Sequence, residues 1–236
     1  MTDICIITAT HLRPRVFKLF CLSMDRIRND SGLNIHVVVA GDKDQSKIAD
    51  KHDIEFVPIP NKPVSRKFQK ALSRASKHNP SSVMVLGSDD IISTNTAVNL
   101  YNTVRDGYSV SGLDSIYFYS TLSETRGKLI MLTRNIIFGA GKIIRGDILD
   151  KLDWVLWNKD ANCALDAIAQ KTLNTIEHSR CVSSGMLVDV KTRMNMNKFD
   201  LWNKKELPEI DVNLFYDMLS EAERIQLKII IKNQII

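Results

Sequence analysis

Short runs of consecutive apolar residues alternate with stretches in which apolar positions recur every three or four residues, and this alternation points to the fold class. Residues 4–8 form an apolar run, and Val16, Phe20, Met24 and Ile27 then fall at helical period between Arg13 and Arg28. A second run, 35–40, ends in Gly41-Asp42, and a polar helical segment over 45–52 leads to a third run, 54–57. Strand, helix, strand, helix, strand is the order of a parallel sheet with helical crossovers. Pro58, Pro60 and Pro63 then make a rigid connection to a helix over 64–78, with Val64, Phe68, Ala71, Leu72 and Ala75 on one face. Its other face carries a basic stripe of Lys67, Lys70, Arg74 and Lys77, with Arg66 beside it. Such a stripe is either a solvated face or an anion-binding one, and Lys67 can reach a phosphate near the next strand.

That strand lies in residues 82–92, bounded by Pro80 and Gly87 and followed by Asp89 and Asp90. Adjacent carboxylates repel each other, so they either share a cation or hydrogen-bond network, or one of them caps the next helix. Beyond them comes a helix over 96–104, then strand-like runs at 108–112, 116–121 and 128–133, the last two flanking a polar turn as a hairpin. Here the parallel alternation ends. Gly139 and Gly141 allow close backbone approach before a further apolar run, and Asp147 is expected to cap a short helix to Leu152. Asp160 is expected to begin a helix to Leu173 that carries Asp166 among Ala164, Leu165, Ala167 and Ile168. A carboxylate near an apolar face is either a satisfied structural group or a proton-transfer group with a raised pKa. Trp154 reads as core, and Trp157 as core or ligand platform.

Residues 186–190 read as another strand, followed by a basic loop over 191–198. Asp211 is placed to cap a helix to Leu219, and Ser220 with Glu223 forms a capping box for a last helix to about Lys232. The apolar end of that helix, Ile229 to Ile231 with Ile235 and Ile236, requires cover.

Composition narrows the picture. A chain of 236 residues, 44% hydrophobic and 25% charged, suits one globular domain with or without an appendage. Four dispersed cysteines show neither a disulfide framework nor zinc spacing. The N-terminus lacks a basic start before a long apolar region, and no apolar run reaches the ~20 residues of a membrane span, so the expected location is the cytoplasm. A net charge of +5 favours an anionic substrate or partner. Neither GxGxxG nor GxxxxGK follows the first strand, which disfavours dinucleotide and P-loop chemistry.

The segments Ile4-Cys-Ile-Ile-Thr-Ala-Thr10, Val37-Val-Val-Ala-Gly-Asp42, Leu86-Gly-Ser-Asp-Asp90 and Phe138-Gly-Ala-Gly141, with Leu165-Asp166 further on, follow one another in an order that resembles the nucleotide-sugar glycosyltransferases of the GT-A fold, particularly the family-two-like group. The resemblance spans about residues 1–200. It implies an α/β fold with a Rossmann-like mixed sheet flanked by helices, a GT-A domain over 1–204 and a C-terminal helical extension over 205–236.

It also implies roles. Thr8, Ala9, Thr10, His11 and Arg13 would face the nucleotide of a nucleoside-diphosphate sugar, Asp42 would read its base, and Lys67 would approach the diphosphate. Ser88-Asp89-Asp90 resembles the DxD motif, with Asp90 as ligand to Mn²⁺ or Mg²⁺ and Asp89 facing ribose or sugar. Because Ser88 replaces the first Asp, coordination rests on Asp90. Asp166 resembles the catalytic base of inverting members, and Lys191 a residue that meets the phosphates. The compact form resembles glycosyltransferases of bacteriophages that modify hydroxymethylated bases in DNA. The basic stripe, Arg134, Lys142, Arg145 and the 191–198 loop would suit a DNA backbone. Two other readings stand beside this one. A nucleotidyltransferase would also use paired carboxylates, but is expected to show a glycine-rich N-terminal phosphate loop that Thr8 to Arg13 lacks. A non-catalytic nucleic-acid-binding module would rest on the basic stripe.

Overall fold

Residues 4–7 point alternately to opposite faces of a strand, and both faces are apolar, so the strand requires a helix on each side. The computed structural model, which describes residues 2–195 and 198–233, supplies both. β1 (Ile4–Thr10) is followed by α1 (Pro14–Asp30), β2 (Ile35–Gly41), a short α2 (Ser46–Asp50) and β3 (Glu55–Pro58). Next come α3 (Val64–Ala75) and β4 (Ser82–Val85). Ile4 and Ile6 pack with Phe17, Phe20, Met24 and Ile27 of α1. Cys5 and Ile7 face the other way, onto Ala71, Leu72 and Ala75 of α3.

The remainder runs β5 (Asp90–Ile92), α4 (Thr94–Arg105), β6 (Val110–Leu113), β7 (Ser115–Ser120), β8 (Leu129–Thr133), β9 (Lys142–Arg145), α5 (Gly146–Asp150), α6 (Leu165–Leu173), β10 (Arg180–Ser183) and β11 (Leu187–Lys191). It closes with α7 (Phe199–Asn203), α8 (Asn213–Met218) and α9 (Glu221–Lys232). Among the described residues, one sheet has seven strands in the order β10-β6-β9-β4-β1-β2-β3, parallel from β4 to β3 and with β9 antiparallel to β4 and β6. This is the mixed α/β sheet flanked by helices that the sequence implied. A second sheet, β5-β11-β7-β8, includes the expected hairpin of β7 and β8.

Several local expectations are corrected. The strand expected before Gly87 is β4, which stops at Val85, but after the turn Asp90 opens a further strand, β5, in the second sheet. Asp147 does not cap α5 but binds Arg145 within its first turn. Asp160 pairs with Arg66, and α6 begins only at Leu165, after Ala164 in a left-handed conformation at φ 56°. Both tryptophans pack on one core cluster, Trp157 within it and Trp154 at its edge. Trp157 is buried beside Phe68, whereas Trp154 is half-buried with its indole donating to Asp150. β10 and α7 have no counterpart in the periodicity, because Arg180-Cys-Val-Ser183 and Phe199-Asp-Leu-Trp-Asn203 are too short and mixed to set a period.

The tail has the capping box anticipated from Ser220 and Glu223. Leu227 and Ile230 of α9 pack with Phe215, Val16 and Leu19. Glu223 is fully buried and pairs with Arg26 at 2.9 Å, while Arg26 also donates to Thr94 and to the Ile92 carbonyl. Ile229 remains 40% exposed, and Ile235 and Ile236 lie outside the described residues. Among the described residues no helix is long and apolar enough to cross a membrane.

Candidate active site

The carboxyl ends of β1 and β4 open into a cleft of about 860 Å³ that is closed on its other side by the second sheet. In an open parallel sheet this is where ligands bind, because the strand ends and following turns present backbone and side-chain groups together.

The β4–β5 turn is built around Gly87. Its amide donates to Asp90 Oδ2 at 2.5 Å, and a Cβ there would stand 2.9 Å from Oδ1 of Asp89 and Oδ2 of Asp90. A side chain there would push both carboxylates aside, so glycine lets the acid pair fold back over the turn. Opposite the pair lies a third carboxylate. β11 runs antiparallel to β5 with Asp189 in register with Asp90, and Asp89, Asp90 and Asp189 each bring an oxygen within 4.8 Å of the others. Asp189 was not singled out from the sequence. Its signal was present: strand alternation puts Asp189 on the same face as Lys191, amid the apolar Leu187, Val188 and Val190.

The charges are unequally compensated. Burial disfavours the charged form of Asp89, but Arg13, at 2.7 Å, and Lys191 outweigh it and hold Asp89 below the ordinary carboxylate range. Asn195 also donates to Asp89 at 2.6 Å. Burial and the neighbouring Asp189 and Asp89 push Asp90 well above that range. Asp189 is pushed up to about 7 by burial and by Asp89, despite its contact with Lys191. Its Oδ1 is buried without a hydrogen-bond partner. An orphaned carboxylate oxygen beside two more carboxylates fits a hard divalent cation, which would displace the shared protons. Asp90 and Asp189, with Asp89, are the residues that would hold it.

The β1–α1 loop supplies the facing wall. Ala9, Thr10, His11 and Arg13 line the cleft, and Arg13 bridges to Asp89 and, at 3.3 Å, to the buried Ser88. Gln45, with its amide oriented to suit its neighbours, donates to Thr10 and accepts from the amides of Leu12 and Arg13, fixing the loop. Thr8 departs from expectation. It is fully buried, does not line the cleft, and leaves Oγ1 without a partner. Asp42 likewise does not line the cleft; its carboxylate is taken by His11. Lys67 leaves the basic stripe and turns inward, donating to the Thr10 carbonyl at 2.7 Å and Asn61 at 3.0 Å. Lys191 is buried beside Asp189 and over the Phe118 ring.

Asp166 comes to the same cleft by another route. It lies exposed in the first turn of α6, not against an apolar face, and accepts from the Gly139 amide at 3.2 Å. A Cβ at position 139 would fall 1.5 Å from Asp166 Oδ1, so this contact depends on glycine. Phe118 and Trp202 stack with ring centroids 4.8 Å apart and complete an aromatic wall that the sequence did not reveal.

No protein-family model matches the chain, and no curated protein does. Solved structures are similar to it. A mannosyltransferase from Pyrobaculum calidifontis, in complex with GDP-Man and Mn²⁺, aligns with a TM-score of 0.57 and 12% identity over 85% of this chain and 59% of its own. The bifunctional IspDF from Campylobacter jejuni gives 0.51 and 12%, over 88% of this chain and 55% of its own. A 4-diphosphocytidyl-2C-methyl-D-erythritol synthase gives 0.51 and 7%, over 78% and 90%. The chain thus spans under two thirds of the first two. At these identities the likeness is one of fold: the GT-A-like α/β fold shared by glycosyl and nucleotidyl transferases.

Proposed function

We propose that this protein is a nucleotide-sugar glycosyltransferase that uses Mn²⁺ or Mg²⁺. The observation that carries the reading is one cleft lined by the Asp89, Asp90 and Asp189 cluster, by Arg13, Lys67 and Lys191, and by a separate carboxylate, Asp166. Asp90 and Asp189 hold the cation, which when bound supplies positive charge against a diphosphate. Arg13 and Lys191 set the charge on the acid cluster, and Lys67 braces the Thr10 backbone that faces the donor. Ala9, Thr10 and His11 contact the nucleotide, and Asp42 acts through His11. Thr8 contributes the strand end beneath them. Asp89 and Ser88 keep Arg13 in place while Asp89 faces ribose or sugar. Asp166 accepts the proton of an acceptor hydroxyl as its oxygen bonds to the anomeric carbon and the diphosphate oxygen departs with the electron pair. A base in this role belongs to transfer with inversion of configuration; transfer with retention would leave Asp166 without it.

A hydroxymethylated base in phage DNA is one acceptor of this kind. Arg134 in the cleft favours it, but Arg66, Arg74 and Arg145 are paired with Asp160, Glu55 and Asp147, which weakens the basic surface that suggested DNA. The proposal is therefore stated for an acceptor hydroxyl. Nucleotidyl transfer is the second reading, favoured by likeness to a synthase of which this chain covers 90%.

A thermal-shift panel of nucleoside-diphosphate sugars and nucleoside triphosphates with Mn²⁺ tests both. Binding to the native state stabilises by about 2.7 kcal/mol at a hundredfold excess over Kd. A rise with a nucleotide sugar, followed by release of nucleoside diphosphate, supports the first reading. A rise with a triphosphate alone, with release of pyrophosphate, replaces it by the second.

A further inference from the structure

A second cluster of metal-ligating side chains lies away from the cleft, at the opposite ends of the parallel strands. His36 is the second residue of β2 and Glu55 the first of β3, while His78 ends the turn after α3. The register pairs Val38 with Glu55, so alternation puts His36, two residues back, on the same face as Glu55, and His78 lies against that face. Nε2 of His36 lies 2.9 Å and Nε2 of His78 2.6 Å from one oxygen of Glu55, Oε2. The two rings sit 3.8 Å apart between centroids.

From this convergence we infer that His36, Glu55 and His78 form a binding site for a borderline transition-metal ion of the Zn²⁺ class, separate from the cleft and structural in role. Two imidazoles and a carboxylate are the ligand types such an ion selects over Mg²⁺. The two carboxylate oxygens divide the work: Arg74 holds Oε1 and orients the group, leaving Oε2 to the ion. Of the groups around Glu55, Arg74 keeps its contact with Oε1 when the imidazoles turn to the ion, and its positive charge favours the ionised carboxylate that a ligand requires. Tetrahedral ligands at about 2.0–2.1 Å stand ~3.3 Å apart, so the imidazoles need to part from Oε2 by only a fraction of an ångström. The side chains are 29%, 18% and 30% exposed, which leaves water access to the fourth position. Three ligands and a neighbouring guanidinium make this a weaker site than a four-ligand zinc centre. An ion there would tie β2 and β3 to the end of α3.

The test uses the full chain with Asp90→Asn and Asp189→Asn, which disarm the cleft cluster, and the metal ions alone as probes. Expected results are uptake of a single equivalent of Zn²⁺ by calorimetry, a rise in Tm on Zn²⁺ addition, and visible absorption of the Co²⁺ form. Adding His78→Ala or His36→Gln should abolish all three. No Zn²⁺ uptake by the cleft variant, or uptake unchanged by either histidine substitution, overturns the site. Should both histidine variants fail to fold, Zn²⁺ must shift the imidazole resonances of two of the five histidines in the cleft variant; unshifted resonances also overturn it.

Discussion

Asp189 stands directly across from Asp90 in the antiparallel pairing of β11 with β5. This brings a third carboxylate to a pair that otherwise lacks the first acid of a DxD motif, since Ser88 occupies that position and is buried against Arg13. Asp189→Asn is expected to lower Mn²⁺ affinity by ~100-fold or more and to lower turnover in parallel. Calorimetric titration of Mn²⁺ and steady-state rates check this. EDTA should suppress activity, and Mn²⁺ or Mg²⁺ should restore it; full turnover in chelator would remove the cation from the mechanism.

Asp166→Asn is expected to leave nucleotide-sugar binding unchanged while lowering the transfer rate by about 10²–10⁴-fold, the range for loss of a positioned base. Gly139→Ala should reproduce much of this loss, because its Cβ cannot coexist with the present position of Asp166. Donor binding by calorimetry and single-turnover transfer separate the two effects, and wild-type turnover in Asp166→Asn would exclude it as base.

Breaking the buried pair of Arg26 and Glu223 leaves a charge without its partner. Glu223→Ala should cost about 3–5 kcal/mol, and Arg26→Met with Glu223→Leu together should cost less than the sum of the single changes. Urea unfolding measures both. A Glu223→Ala variant as stable as the parent would show that α9 is not held by this contact.

Lys142 is 3% exposed, and its pKa is lowered by burial, with Asp166 opposing that shift. A lysine with a lowered folded pKa is held with fewer protons than in the unfolded chain, so its unfavourable contribution shrinks as pH rises from the folded pKa toward the unfolded value near ~10.4. Lys142→Met is therefore expected to be more stable than the parent near neutrality, with the advantage narrowing as pH rises into the alkaline range. Chemical denaturation at a series of pH values reads the difference, and an advantage that widens with pH would contradict it.

Much of the fold was legible because it is local. The alternation of Ile4 to Ile7 and the period of Val16, Phe20, Met24 and Ile27 are set by neighbours within a few residues, as is the Ser220–Glu223 box. The site was legible in part. Asp90, Asp89, Arg13 and Lys191 do gather in one cleft with Asp166, whereas Thr8 is buried behind it and Asp42 is engaged by His11. Strand ends look alike in sequence whether their side chains face a cleft or the core, because one residue of register exchanges the two faces.

By itself, the sequence determined the parallel βαβαβ start, the hairpin of β7 and β8 and the presence of an acidic turn after the fourth strand. Only the tertiary structure decided which acids share that turn's space. Residues 90 and 189 are joined by pairing between strands far apart along the chain, and no local period encodes such a partner. The same holds for Asp166, whose carboxylate reaches the cleft because Gly139 leaves room for it, and for His36, Glu55 and His78, gathered by a sheet edge and the end of a helix. Long-range contacts are fixed by how layers bury their apolar faces, and the chemistry carried on the polar positions follows from that burial.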